Sequence, residues 1–351
     1  MRLLRRREAA AAPTQAPAQG SIEEYDGSTE QLLGEIEELS EAGRRSRSLE
    51  IERRLLRLRH LAGMRRLDDA AVSPRHPEPD TARLPESQSL PDIAGADVSP
   101  ELIRAGILRD GALLVRGLVP RERALEFATE IDTAFAERDK HDEGEPHSRE
   151  YYDEFLPHAR FGPVDSRGWI KMGGGVLAAD SPKLAFEMIE LFHSAGVPEL
   201  VEEYLGEPAV LSVHKTTLRK ADPSVGGAWH QDGKFMGPVR ALNLWVSLSR
   251  CGDESPGLDI VPARLEEYLP TGTHDAALSY QVAHAKAEEA AERAGKAVVR
   301  PIFEPGDAVF FDERFLHATG SDPSMPKPRY AIESWFFGPS GFPADYAPIA
   351  V

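Results

Sequence analysis

The segment Gly226-Gly227-Ala228-Trp229-His230-Gln231-Asp232-Gly233 sets an imidazole and a carboxylate two positions apart. On an extended strand, residues i and i+2 project to the same face, so His230 and Asp232 can reach one ion. A His-x-Asp pair alone is a weak signal, because most such pairs are solvated loop residues. A third donor is His317, 85 positions beyond Asp232, at the end of Pro305-Gly306-Asp307-Ala308-Val309-Phe310-Phe311-Asp312-Glu313-Arg314-Phe315-Leu316-His317. The Pro-Gly-Asp turn and the apolar strand after it place this histidine just past a strand end. Two histidines and one carboxylate on one octahedral face suit iron(II), leaving three positions for a bidentate co-substrate and dioxygen. A tetrahedral zinc site leaves one. Arg329 follows His317 by twelve residues. Its planar guanidinium suits a two-pronged grip on the distal carboxylate of 2-oxoglutarate, which a metal hydrolase does not need.

The neighbours divide by strand alternation. Trp229 and Gln231 face away from the ligands, and packing is the role that fits Trp229. Thr216, Leu218 and Lys220 alternate on the preceding strand, which makes Lys220 a candidate contact to 2-oxoglutarate. Asn243, with Trp245 on the following strand, fits a hydrogen bond to the co-substrate and equally well one to neighbouring backbone. His214 reads as a core or surface histidine, since the triad is complete without it. His141, His147, His158, His193, His274 and His284 fall in loops or helices and take no role. The run Gly173 to Gly175 lacks the strand, lysine and helix context of a phosphate loop and reads as a hinge, lid or turn. Tyr151, Tyr152, Phe155, Phe235 and Met236 either line a substrate pocket or belong to the core.

The elements that must position these groups follow from patterning. Residues 1–27, small, polar and proline-bearing, read as a disordered tail. From Ser28, leucines and isoleucines recur at three- and four-residue intervals, predicting a helical extension over 28–70, split near Gly43. It either packs on the main domain or serves self-association or partner docking. Six prolines between Pro74 and Pro100 mark 71–98 as a linker. The main domain then spans 99–351. It opens with a strand over 112–119 and a helix over 121–138, continues in long loops over 140–180, and has helices over 182–193 and 198–205. Short strands follow over 209–218, 241–248, 258–261, 297–303, 308–311 and 330–337, with a surface helix inserted in 274–295. Such spacing predicts a mainly β fold with flanking helices, a sandwich or jelly roll.

Composition narrows the partners. With 351 residues, 41% hydrophobic and 28% charged, the chain is of an ordinary globular class. A net charge of -17 repels nucleic acid phosphates and anionic membrane surfaces. The arginines of the first residues precede Ala, Pro, Gln and Gly rather than an apolar run, so neither an export signal nor a membrane span is expected. Cys251 is the single cysteine, which excludes an intrachain disulfide and points to a reducing, cytoplasmic setting.

Taken jointly, these motifs resemble the phytanoyl-CoA dioxygenase family of iron(II) and 2-oxoglutarate oxygenases. The resemblance runs from about Ile107 to Phe337. It rests on Arg109-Asp110-Gly111-Ala112-Leu113-Leu114-Val115-Arg116-Gly117-Leu118, on Trp229-His230-Gln231-Asp232, and on Leu242-Asn243-Leu244-Trp245-Val246-Ser247-Leu248. Gly257-Leu258-Asp259-Ile260-Val261-Pro262, the Pro-Gly-Asp segment before His317 and the arginine after it complete it. It implies a double-stranded β-helix (jelly roll, cupin-like) with helices on one side, iron on His230, Asp232 and His317, and Arg329 as co-substrate anchor. It also implies hydroxylation of a small organic or acyl-type substrate with release of succinate and carbon dioxide, and ascorbate as reductant in assays. Relatives that halogenate lack the carboxylate that Asp232 provides. Where the family has Pro-Gly-Ser-His, this chain has Pro262-Ala263-Arg264-Leu265, a departure that bears on substrate rather than metal. Two other readings remain: a cupin-like zinc or manganese enzyme using the same triad, and a non-catalytic jelly-roll interaction module.

Overall fold

The computed structural model describes residues 24–351 except positions 225, 274, 275 and 277. The expectation of a tail over 1–27 therefore falls largely outside the described residues, as does His274.

The N-terminal helices begin where their caps dictate. Ser28 accepts a hydrogen bond from the Gln31 amide while the Gln31 side chain accepts one from the Ser28 amide, a reciprocal capping box that starts α1 (Thr29–Arg45). Ser48 caps α2 (Leu49–Asp68) by the single bond its side chain accepts from the Ile51 amide. The break thus lies after Gly43, where a Cβ would stand 3.0 Å from the Phe186 ring. The apolar stripes are covered by the chain itself: Leu32, Ile36, Leu55, Leu58 and Leu61 share one core with Leu184, Met188 and Phe192 of α6 (Pro182–Ser194) and Ile349 of β10 (Pro348–Ala350).

His60 of α2 ties this extension to both the loop region and the C-terminus. Its Nδ1 lies 2.7 Å from the Pro348 carbonyl and its Nε2 accepts the His158 amide at 3.0 Å, which assigns a neutral ring with the proton on Nδ1. Burial holds its pKa down to about 4, despite the Pro348 bond, whereas an exposed imidazole titrates near 6.5. The unfolded chain therefore binds the extra proton first. Stability should be flat above pH 6.5 and fall between pH 6.5 and 4, by up to about 3 kcal/mol from this residue. Urea midpoints at pH 7 and pH 5 measure this, and His60→Asn should flatten the difference.

Segment 71–98 is packed rather than a spacer. Asp92–Ala94 form β1, parallel to β2 (Ala112–Arg116); Leu84 and Leu90 are buried; and the His76 ring bonds the Tyr204 carbonyl. Prolines deny a helix there but not an edge strand or extended packing.

The remaining helices are α3 (Pro100–Asp110), α4 (Arg121–Asp142), α5 (Arg167–Met172), α7 (Val197–Leu205), α8 (Gly233–Met236) and α9 (His284–Arg293). The remaining strands are β3 (Gly175–Leu177), β4 (Val210–Ala221), β5 (Ala241–Ser247), β6 (Gly257–Ile260), β7 (Ala308–Phe311), β8 (His317–Gly320) and β9 (Arg329–Phe337). Eight strands form one mixed sheet in the order β1-β2-β7-β5-β9-β4-β10, with β3 on β4, and β6 pairs with β8 separately. Alternation gives this sheet two apolar faces. Leu242, Leu244, Val246, Phe310, Ile332 and Phe336 pack toward the helices. Ala241, Trp245, Val309, Phe311, Trp335 and Phe337 pack toward Leu258 and Ile260 of β6. The result is a mixed, sheet-rich fold with helices on one face. Among the described residues no helix is long and apolar enough to cross a membrane.

Three expectations are corrected. The run 297–303 forms no strand, only isolated bridges from Val299 to Ile260 and Phe303 to Cys251. The glycines of the expected 140–180 loop lead into β3, which pairs with β4. Helix α9 is not a free surface insertion, since Ala287, Ala290 and Ala291 pack with Trp229, Val261 and Leu316. In the Pro305-Gly306-Asp307 turn, Gly306 has φ +95° and a Cβ there would lie 2.1 Å from the Val119 carbonyl, so glycine is required.

Candidate metal centre

His230 and His317 are an antiparallel bridge pair whose amides bond each other's carbonyls at 3.0 and 3.2 Å. Residues directly opposite in such a pair project to one side, and the two rings lie 4.4 Å apart between centroids. His317 is the first residue of β8, so the loop after β7 delivers it. Each ring is oriented by a carbonyl two residues earlier: Nδ1 of His230 is 2.7 Å from the Ala228 oxygen and Nδ1 of His317 is 3.2 Å from the Phe315 oxygen. Both Nε2 atoms are then free for a ligand.

Asp232 arrives by a turn, not by continued strand. Its backbone is helical, φ -59° and ψ -28°, at the start of α8. Oδ2 lies 3.9 Å from His230 Nε2 and 3.8 Å from His317 Nε2, while Oδ1 accepts from Lys215 Nζ at 3.3 Å. The three donor atoms sit within 4.8 Å of one another, a grouping able to hold one metal ion. Burial would raise the Asp232 carboxyl, but Lys215, His230 and His317 outweigh it and hold its pKa down to about 2. Burial, then the neighbouring His230, pushes His317 down to about 4. At neutral pH the site thus offers a carboxylate and a neutral imidazole, the states that bind a divalent ion.

The surrounding residues fix this geometry. Gln231 accepts the Leu269 amide and donates to the Glu267 and Arg314 carbonyls. Trp229, buried and turned away as alternation predicts, donates to His284 Nδ1 at 3.0 Å, so His284 does have a structural partner. Gly227 lies so close to β8 that a Cβ would stand 2.4 Å from the Thr319 nitrogen. Arg264, at the departure from the family pattern, forms a close ion pair with Asp312 in the loop that leads to His317.

Arg329 opens β9 and is buried. Its Nη1 donates to the Gly257 carbonyl at 2.8 Å and its guanidinium stands 5.4 Å over Trp245, but Nε has no partner. No carboxylate pairs with it among the described residues, and burial lowers its pKa to about 10. Asn243, on the same face of β5 as Trp245, is fully buried with neither its amide oxygen nor its nitrogen bonded. A buried guanidinium without an anion and an amide without partners are costly unless a ligand completes them. The residues present therefore fit iron and an anionic, oxygen-rich co-substrate.

A model of the phytanoyl-CoA dioxygenase (PhyH) family matches residues 107–329. The chain belongs to this family. As a member, it is an iron(II)- and 2-oxoglutarate-dependent dioxygenase. No curated protein matches it in sequence. Among solved structures it is similar to EctD from S. alaskensis with 2-oxoglutarate and 5-hydroxyectoine, at 16% identity and TM-score 0.49, covering 77% of this chain and 86% of that one. It is also similar to AviO1 from Streptomyces viridochromogenes Tue57, at 19% identity and TM-score 0.42, covering 68% and 94%. The epimerase SnoN in complex with Fe3+, alpha ketoglutarate and nogalamycin RO gives 22% identity and TM-score 0.43, covering 68% and 82%.

In this dioxygenase Lys220 is not near Arg329's unpartnered face. It bonds Asp132 of α4 at 2.5 Å and stands over Tyr330, on the helix side of the sheet. Leu218 lies in the helix-side core. The register of β4 against β9 shifts between Leu211 and Thr216, and pairs Thr217 with Glu333 and Arg219 with Ala331. Lys215, Thr217 and Arg219 are therefore the members of β4 that share the Arg329 face, one residue out of phase with the expected set. Arg219 Nε donates to Glu333 Oε2 at 2.9 Å and Thr217 Oγ1 does so at 3.4 Å. Glu333, four residues past Arg329, was detectable by the same alternation. His214 stacks on Tyr346 and accepts the Ala347 amide, and so is no ligand. Of the aromatic and apolar candidates, Tyr152, Phe155 and Met236 are buried, Tyr151 bonds Glu130 and Lys183, and Phe235 is exposed beside His230.

Proposed function

We propose that this dioxygenase hydroxylates a small organic substrate, with iron(II) on His230 Nε2, Asp232 Oδ2 and His317 Nε2 and the distal carboxylate of 2-oxoglutarate on Arg329. The observation that carries this reading is the buried Arg329, charged and without an anion, in the domain that holds the triad. The fold that fits is a double-stranded β-helix in which the main sheet and the β6–β8 pair enclose the site.

Bound iron supplies the chemistry that couples decarboxylation of 2-oxoglutarate to succinate and carbon dioxide with transfer of oxygen to a substrate. The protein orients and shields. The carbonyls of Ala228 and Phe315 keep both Nε2 atoms turned inward, and Lys215 holds Asp232 Oδ1 so that Oδ2 alone is offered. Phe311 and Phe315 pack on the His317 ring and exclude water from that side. Asn243 supplies the amide that the co-substrate completes. The net charge of -17 and the single buried cysteine support an intracellular enzyme acting on a small molecule rather than on nucleic acid.

Incubation with iron(II), ascorbate, 2-oxoglutarate and a metabolite extract should yield iron-dependent succinate and a product one oxygen heavier than its precursor. A product formed without succinate would favour a metal enzyme of another class. No 2-oxoglutarate decarboxylation, coupled or uncoupled, would favour an interaction module.

A further inference from the structure

Strand β4 carries more residues than β9 pairs. Leu211 lies opposite Phe336 and Thr216 opposite Ser334, so the stretch from Ser212 to Lys215 faces Trp335 alone. Continued without that excess, the register would set Lys215 against Ile332, a residue of the helix-side core. The extra residues reverse the alternation and bring Lys215 Nζ to 3.3 Å from Asp232 Oδ1. Bulges beside active sites re-aim side chains in this way.

The C-terminal segment holds the excess stretch, on the edge of β4 away from β9. The Val213 amide donates to the Ala347 carbonyl at 2.9 Å, and Ser212 pairs with Pro348 at the start of β10. The Ala347 amide donates to His214 Nδ1 at 3.2 Å, while the His214 amide donates to Ser212 Oγ at 3.1 Å. The His214 ring also lies flat on Tyr346, with 5.1 Å between centroids and 9° between planes. Helix α2 backs this segment: His60 Nδ1 bonds the Pro348 carbonyl, and a Cβ at Gly63 would stand 3.1 Å from the Pro348 backbone.

We propose that His214 is a positioning residue of the metal centre: by joining β4 to Tyr346 and Ala347 it keeps the extra residues out of register and so presents Lys215 to Asp232. The C-terminal segment, with α2 behind it, thereby acts on the carboxylate through one lysine. That lysine takes up Oδ1 and leaves Oδ2 toward the two imidazoles. The inference rests on the metal reading of Asp232 only for its effect on iron.

The metal-free full chain tests the placement without iron. Brief acetylation of the native protein is read by mass spectrometry at Lys215, with Lys220, which bonds Asp132, as internal reference. Lys215 should react at least ~10-fold faster in His214→Phe than in the unaltered chain, the scale of one charge-assisted hydrogen bond lost. Phenylalanine keeps the stack on Tyr346 but cannot accept the Ala347 amide. His214→Asn, whose Oδ1 replaces Nδ1, should restore the original rate. Lys215→Met should lower the urea midpoint of the unaltered chain and leave that of His214→Phe nearly unchanged, because groups that act as a unit are not additive. In equilibrium dialysis Lys215→Met should weaken iron(II) binding by ~10-fold, and adding His214→Phe should weaken it no further. An unchanged Lys215 rate in His214→Phe, an equal rise at Lys220, no recovery in His214→Asn, unchanged iron affinity in Lys215→Met, or additive effects in either cycle would each overturn the proposal. Iron(II) held as tightly by Asp232→Ala as by the unaltered chain would instead overturn the metal reading and leave the Lys215 placement standing.

Discussion

Asp232→Ala is expected to reduce iron-dependent succinate release by more than ~100-fold, beyond the 10- to 100-fold typical for residues that only support a ligand. The carboxylate is the one anionic donor of the triad, and its Oδ2 faces both imidazoles. The variant should also bind iron(II) more weakly in equilibrium dialysis. A second effect follows from Lys215, whose ammonium is lifted above its ordinary pKa, against burial, chiefly by Asp232. Removing the carboxylate leaves that ammonium without its partner, so the metal-free variant should lose about 1 to 3 kcal/mol in denaturant titration. Turnover retained in Asp232→Ala would refute its role as ligand.

Arg329→Met should act in the opposite direction on stability. The guanidinium is buried with one backbone carbonyl as partner and no carboxylate, so the metal- and ligand-free protein carries the cost of an unpaired charge. A methionine of similar volume removes that cost, and the ligand-free melting temperature should stay level or rise. Binding of 2-oxoglutarate should weaken ~10- to 100-fold, as loss of a charge-assisted hydrogen bond of about 1.5 to 3 kcal/mol requires. The two variants form a pair: both lose turnover, one with lower and one with unchanged or higher ligand-free stability. If both merely unfolded, neither assignment would stand.

The donor types of the grouping His230, Asp232 and His317 were legible because the motifs that carry them are local. His230 and Asp232 are neighbours in the chain, and the Pro-Gly-Asp turn is a local rule that Gly306 obeys through its positive φ and Asp307 through bonds to the Gly117 and Glu304 amides. Asp232, however, reaches the two histidines through a helical turn into α8 rather than along a strand. Lys220 shows where pattern reading fails. Strand period is two, so one irregularity between Leu211 and Thr216 exchanges the faces of every later residue, and Lys215, Thr217 and Arg219 replace Thr216, Leu218 and Lys220 on the Arg329 face.

The sequence alone determined the helices of 28–70 through their caps and apolar period, the short β runs, the donor types of the triad and the arginine that follows it. All of these depend on residues close in the chain. Tertiary structure decided the rest: that segment 71–98 joins the sheet, that α2 closes over the C-terminal strand through His60, that Arg329 is left without an anion, and which face of β4 turns toward Asp232 and Arg329. Those outcomes depend on register and burial between segments far apart in sequence, where pairing energies and not local propensity choose the arrangement.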